Sequence, residues 1–189
     1  MRRKVVVALV ATLALAAIPA AASTFVHMSP KELIAEADTV VQGRVVQLDS
    51  FWTESGRLIA TEAMVEVEET LLGAAPGTVA VRTFGGQVGD VKVEAPGFPR
   101  FEQGERVLLF LERSPDDGTV RVLGYQQGHF RVVTRKDGVT LAVPMVDDDA
   151  RFLTRDGKLG PAPRSLEIGY FKQQVEKVAA SVGRLRNAR

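Results

Sequence analysis

The stretch TVVQGRVVQL, Thr39 to Leu48, decides the fold. Threonine and four valines fill it, and such β-branched side chains suit a pleated surface better than a helix. Gly43 interrupts the run, which predicts a bulge or a sharp bend inside one strand. Further along come the turn TESGR and then LIATEAMVEVEETLL, where Ala63, Val65 and Val67 alternate in part with Glu62, Glu66 and Glu68. Gly73 and Pro76-Gly77 punctuate before a third strand, TVAVRTF, Thr78 to Phe84. RVLLFLE, Arg106 to Glu112, is apolar on both faces and reads as a central, buried strand. SPDDGT is a hairpin turn into a strand VRVLGYQ, and HFRVVT and VTLAVP form another hairpin around Arg135-Lys136-Asp137-Gly138. Five to seven strands with Gly-bearing turns predict a mainly β, antiparallel domain over residues 23–146, the pattern of a small barrel or sandwich.

Two helices flank the strands. Ser29-Pro30-Lys31-Glu32 reads as a capping box with proline at the first helical position, so a short N-terminal helix follows and ends near Asp38. At the other end Ser165 is a cap candidate after Pro161 and Pro163. Ile168, Phe171, Val175, Val178, Val182 and Leu185 then recur at spacings of 3, 4, 3, 4 and 3, the stripe of an amphipathic helix over 164–189. That stripe packs on the chain's own barrel or pairs with a partner helix; three heptads are short for a lone coiled coil. The weakly patterned residues 147–163 read as a loop with a small turn at Asp156-Gly157.

The first 22 residues read as a cleaved signal peptide. Arg2, Arg3 and Lys4 precede an apolar run from Val5 to Ile18, and Ala20-Ala21-Ala22 offers a small-residue cleavage site. The run is shorter than the roughly 20 residues of a membrane span, so the expectation is export without a stable membrane anchor, to a secreted or periplasmic location. The whole chain has 24 basic and 23 acidic residues, and loss of the three leading cations leaves it slightly acidic. With 6% aromatic residues besides, it is a poor match to the basic, aromatic groove that single-stranded nucleic acid needs, and no nucleic-acid partner is expected. There is no cysteine, so thiol chemistry, thiolate metal sites and disulfides are excluded.

Residues with chemistry are few. GGQVGD, Gly85 to Asp90, lacks the spacing of a phosphate-binding loop, and the alternating Val91-Lys92-Val93-Glu94 behind it announces a short strand where a phosphate cradle needs a helix. Gly85 and Gly86 therefore read as a strand exit opening the connection Gly85 to Gly104. That connection is long for a hairpin and carries Phe98 and Phe101 among stiffening prolines, a plausible contact rim. For Phe101, plugging one end of the barrel is the competing reading. His27 and His129 are the two histidines. His129 sits in a strand pattern, where a hydrogen-bonded structural histidine is the usual case, and no catalytic motif surrounds it. Asp147-Asp148-Asp149 lacks the spacing of a calcium loop and reads as a solvated turn. No catalytic residue, metal ligand or cofactor site is expected, and the chain reads as a non-enzyme.

The order of pieces ADTVVQGRVV, ETLLG, FGG, PRFEQGERVLLFLE and GYQQGHF, within Ser29 to Val133, resembles a family of uncharacterised secreted bacterial proteins. More distantly it is similar to the netrin-like domain, an OB-type barrel found in the tissue inhibitors of metalloproteinases. In those inhibitors the mature N-terminus chelates the target's zinc, which the resemblance places at Ser23 with Thr24 beside it; this chain lacks the cysteines that clamp that end in the inhibitors. The resemblance thus implies a mainly β, antiparallel OB-like β-barrel over residues 23–146 that serves as an exported non-catalytic binding module. It would meet a protein partner, a secreted protease or an envelope protein, through Ser23, Thr24, Gly85, Gly86, Phe98 and Phe101. Two alternatives are a secreted hydrolase built around His129 and an envelope-assembly protein pairing through the C-terminal helix.

Overall fold

A computed structural model of the chain describes residues 23–186; the expected signal peptide, residues 1–22, lies outside them. In chain order the elements are β1 (Thr24–Val26), α1 (Pro30–Glu36), β2 (Thr39–Trp52), β3 (Ile59–Leu72), β4 (Thr78–Phe84), β5 (Gly86–Val88) and β6 (Val91–Val93). They continue with β7 (Arg106–Arg113), β8 (Val120–Val122), a 3-10 turn (Tyr125–Gly128), β9 (His129–Thr134), β10 (Thr140–Pro144), β11 (Arg151–Leu153), β12 (Leu166–Glu167) and α2 (Ile168–Arg186).

One antiparallel sheet dominates, with the order β12-β10-β9-β7-β2-β3-β4 and β8 added to β7. β7 is its centre, as its two apolar faces require. It pairs with β2 along one edge, while on the other β9 takes Val107 to Leu109 and β8 takes Leu111 to Arg113. Register shifts near Gly43 bend the long β2–β3 ribbon, and a Cβ at Gly43 would lie 2.4 Å from the Glu66 carbonyl oxygen. The bend curls the sheet, and β4 comes against β8.

The closed barrel expected from the sequence is not formed. Among the described residues no ladder joins β4 to β8, and the seam is bridged by side chains. Arg82 on β4 reaches Asp117 at 3.9 Å, and Asp117 pairs with Arg121 on β8 at 2.8 Å. Strand β8 has three residues, and with one edge paired to β7 its other edge is too short to carry a closing ladder to β4.

Because the sheet is covered on both sides, two cores form. Val41, Val45, Val65, Val81, Leu109 and Leu111 fill the inside of the curl. Val40, Leu108, Phe110 and Phe130 face outward onto Leu33 and Ile34 of α1 and Ile168, Phe171 and Val175 of α2. The period-2 alternation along β7 assigns each side chain to its core. The Phe110 and Phe171 rings meet edge to face, 5.5 Å apart. Ser29 caps α1, its side chain accepting from the Glu32 amide while the Glu32 carboxylate accepts from the Ser29 amide.

Several local expectations are corrected. The presumed loop 147–163 contains β11, which pairs in parallel with β1, Phe25 opposite Phe152. Within it the Asp156-Gly157 turn is present, closed by the Gly157 amide on the Thr154 carbonyl at 2.8 Å. Helix α2 starts at Ile168, past Ser165, because Leu166 and Glu167 are drawn out flat against β10. The strand expected through VRVLGYQ stops at Val122, where left-handed Gly124 and Tyr125 turn the chain into the 3-10 turn. No described helix is long and apolar enough to cross a membrane.

Candidate functional site

The N-terminal strand, the rim loop and the 3-10 turn converge at one end of the sheet. β1 is too short to hold itself, and three sets of bonds fix it. Its ladder to β11 is extended by the Arg151 amide on the Ser23 carbonyl at 2.9 Å and the His27 amide on the Leu153 carbonyl at 2.7 Å. Buried Gln127 then clamps the end of the strand and the residues just after it. Its Oε1 accepts from the Met28 amide at 2.9 Å and its Nε2 donates to the Val26 carbonyl at 3.0 Å.

The loop lies directly on this strand. Gly97 has φ +84°, and a Cβ there would meet Phe25 Cζ at 2.5 Å and Ser23 Oγ at 3.2 Å, so only glycine permits the approach. Asp147 pins the loop from the other side. Its carboxylate accepts from the Gly97 amide at 3.2 Å and pairs with Arg100 at 3.3 Å, and its own amide donates to Gln126 Oε1 at 2.8 Å. The expected solvated acidic turn is therefore, at its first residue, an anchor. No cluster of metal-ligating side chains occurs among the described residues.

A row of aromatic rings runs along this convergence. Phe84 to Phe98 is 5.1 Å, Phe98 to Tyr125 is 5.2 Å, Tyr125 to Phe25 is 5.8 Å and Phe25 to Phe152 is 5.9 Å between centroids. Tyr125 carries φ +59° and is 51% exposed. A bulky residue in the left-handed region costs about 1–2 kcal/mol, and the surrounding structure holds it there. Beside the row a cleft of about 250 Å³ is lined by Phe84, Phe98 and Tyr125 together with Arg82, Glu112 and Arg121. Burial, with the Asp38 carboxylate adding to it, raises the Glu112 carboxyl above its ordinary range. Asp117, which bridges Arg82 and Arg121, is held below it by the Thr119 hydroxyl and amide and by Arg121.

Of the residues expected to meet a partner, Ser23, Thr24 and Phe98 fall together in this region. Gly85 and Gly86 line a neighbouring cleft under the β5–β6 hairpin. Phe101 turns inward, half-buried against the inner core with its ring 4.7 Å from that of His129. Tyr125, Phe25 and Gln127 escaped the sequence reading. Only the Gly-Tyr pair after a strand hinted at a turn, and nothing local announced its handedness.

His129 is 0% exposed. Contrary to expectation, neither ring nitrogen has a hydrogen-bond partner among the described residues. Glu105 Oε1 is 3.8 Å from Nε2, but Glu105 Oε2 accepts from Arg131 Nε at 3.0 Å, so that carboxylate is already matched by a cation. Desolvation, with Arg131 behind it, pushes the imidazole down to about 3, and it is neutral. Burial likewise raises the Glu105 carboxyl. Three of the strand glutamates are engaged elsewhere: Glu62 with Arg82, Glu68 with Arg106 and Glu69 with Lys172.

Comparison of the chain with protein-family models, curated proteins and solved structures finds no match.

Proposed function

We propose that this chain is an exported, non-catalytic binding module on an OB-like curled sheet, delivered to the periplasm or the medium. It engages a protein partner, a secreted protease foremost, through the aromatic rim. The observation that carries the reading is the convergence of β1, the Gly97–Phe98 loop and Tyr125 into one braced surface. Exposed aromatic side chains on rigid backbone lose little entropy on docking, and tyrosine is enriched where partners bind. The likeness to netrin-like domains is in keeping with a role for the Ser23 end, because β1 stands within that surface.

A hydrolase around His129 is disfavoured, since a sealed, neutral imidazole cannot meet a substrate from solution. Pairing through the C-terminal helix is disfavoured too, because Phe171 and Val175 are spent on the chain's own core. The chain beginning at Ser23, immobilised and exposed to exported proteins of its source, is expected to retain a protein that a folded Tyr125→Asp variant does not. Equal capture by both, or capture of nothing, argues against the rim.

A further inference from the structure

The cleft under the β5–β6 hairpin encloses about 290 Å³, close to the roughly 300 Å³ at which small-ligand sites begin. Its walls are apolar: Leu48, Phe84, Val93, Pro99 and Phe101. Its polar lining includes three hydroxyl groups whose protons can be traced. Thr61 donates to the Gly85 carbonyl at 2.7 Å, so in the 2.8 Å contact between Ser50 and Thr61 the proton must come from Ser50. Thr83 donates to the Pro99 carbonyl at 2.8 Å. Every hydroxyl proton is therefore spent within the protein, and what these side chains retain for the cleft is lone pairs. Gly86 keeps the lining open, since a Cβ there would lie 2.4 Å from Ser50 Oγ and 2.3 Å from Thr61 Oγ1.

The mouth has no preference of sign. Lys92 is matched by Glu94 at 3.1 Å and Arg100 by Asp147 at 3.3 Å. An anion finds no side-chain proton on the hydroxyls and no unmatched cation at the mouth, and an ammonium finds no unmatched carboxylate. What fits is an uncharged molecule with hydroxyl donors on a body that has an apolar face. We propose that this cleft binds a neutral saccharide unit, its ring C–H face on the aromatic wall and its hydroxyls donating to Ser50 and Thr83. The site adjoins the aromatic rim, Phe84 lining the cleft and beginning the row, but the saccharide is held by Ser50 and Thr83, so the proposal does not depend on a protein partner.

Saturation-transfer NMR on the purified protein tests it, with cellobiose and di-N-acetylchitobiose as neutral probes and glucosamine and glucuronate as charged ones. At least one neutral probe is expected to bind, ahead of both charged sugars. Ser50→Ala and Thr83→Val, checked for unchanged melting, each remove an acceptor and should weaken it about tenfold, the effect of one hydrogen bond. Lys92→Glu, at the exposed mouth, leaves carboxylates unmatched and should admit glucosamine without altering the fold. The proposal is overturned if no neutral probe binds, if a charged sugar binds better to the unaltered protein, or if both acceptor variants bind as before. It fails equally if Lys92→Glu leaves selectivity untouched.

Discussion

Replacing His129 with phenylalanine, and following stability against pH, probes the interior most sharply. The imidazole titrates at 6.5 in an open chain and at about 3 when folded. A folded value depressed in this way means that the unfolded chain takes up a proton first. The stability at stake is fully present above about pH 6.5 and is lost as pH falls toward about 3. Between about pH 7.5 and about pH 5 the loss from this group amounts to about 2 kcal/mol. Glu105 works in the opposite direction, because its raised carboxyl binds a proton more readily in the folded state; since both proteins keep it, their difference isolates the imidazole. Urea unfolding at the two pH values should show the unaltered protein losing about 2 kcal/mol more than His129→Phe. At neutral pH the variant should be at least as stable, because two buried nitrogens without partners are removed. Equal losses in the two proteins would refute the picture of a neutral, sealed imidazole.

Other consequences are direct. Gln127→Ala leaves the Met28 amide and the Val26 carbonyl without their clamp; it should cost about 2–3 kcal/mol and open the chain near Val26 to limited proteolysis. Gly43→Ala drives a Cβ into the Glu66 carbonyl and should cost about 2–3 kcal/mol in thermal unfolding, while Gly77→Ala, with nothing within 4 Å, should be close to neutral. Phe171→Ala should cost about 3–5 kcal/mol without altering the oligomeric state by sedimentation, since the ring serves this chain's own core.

The parts legible in the sequence were those where one physical signal acted alone. A strand apolar on both faces had to be central, and β7 is. The stripe from Ile168 to Val178 had to find an apolar surface, and it lies on the outer face of the sheet. GGQVGD is only in part the strand exit it resembles: β4 ends before Gly85, but Gly86 to Val88 form β5, which pairs with the alternating segment behind it, β6, around a turn at Gly89-Asp90. Elsewhere a long-range partner decided the outcome. β1 and β11 have three residues each and no pattern of their own, and each is a strand only because the other is present. Gln126 and Gln127 look like turn residues locally, yet both are buried and staple segments far apart in the chain. Tyr125 is left-handed with its ring against both Phe98 and Phe25, contacts made with distant segments that no local propensity would predict. The missing closure of the sheet was hidden for the same reason: whether β4 meets β8 through backbone or side chains depends on how much edge a three-residue strand can offer.

The rim itself can be interrogated in place by putting photo-activated p-benzoylphenylalanine at position 125 and, separately, at exposed position 133 on β9, then irradiating the exported protein among its natural neighbours. The account predicts a discrete protein adduct from position 125 and none from position 133. An adduct from 133 alone, or from neither, would contradict it.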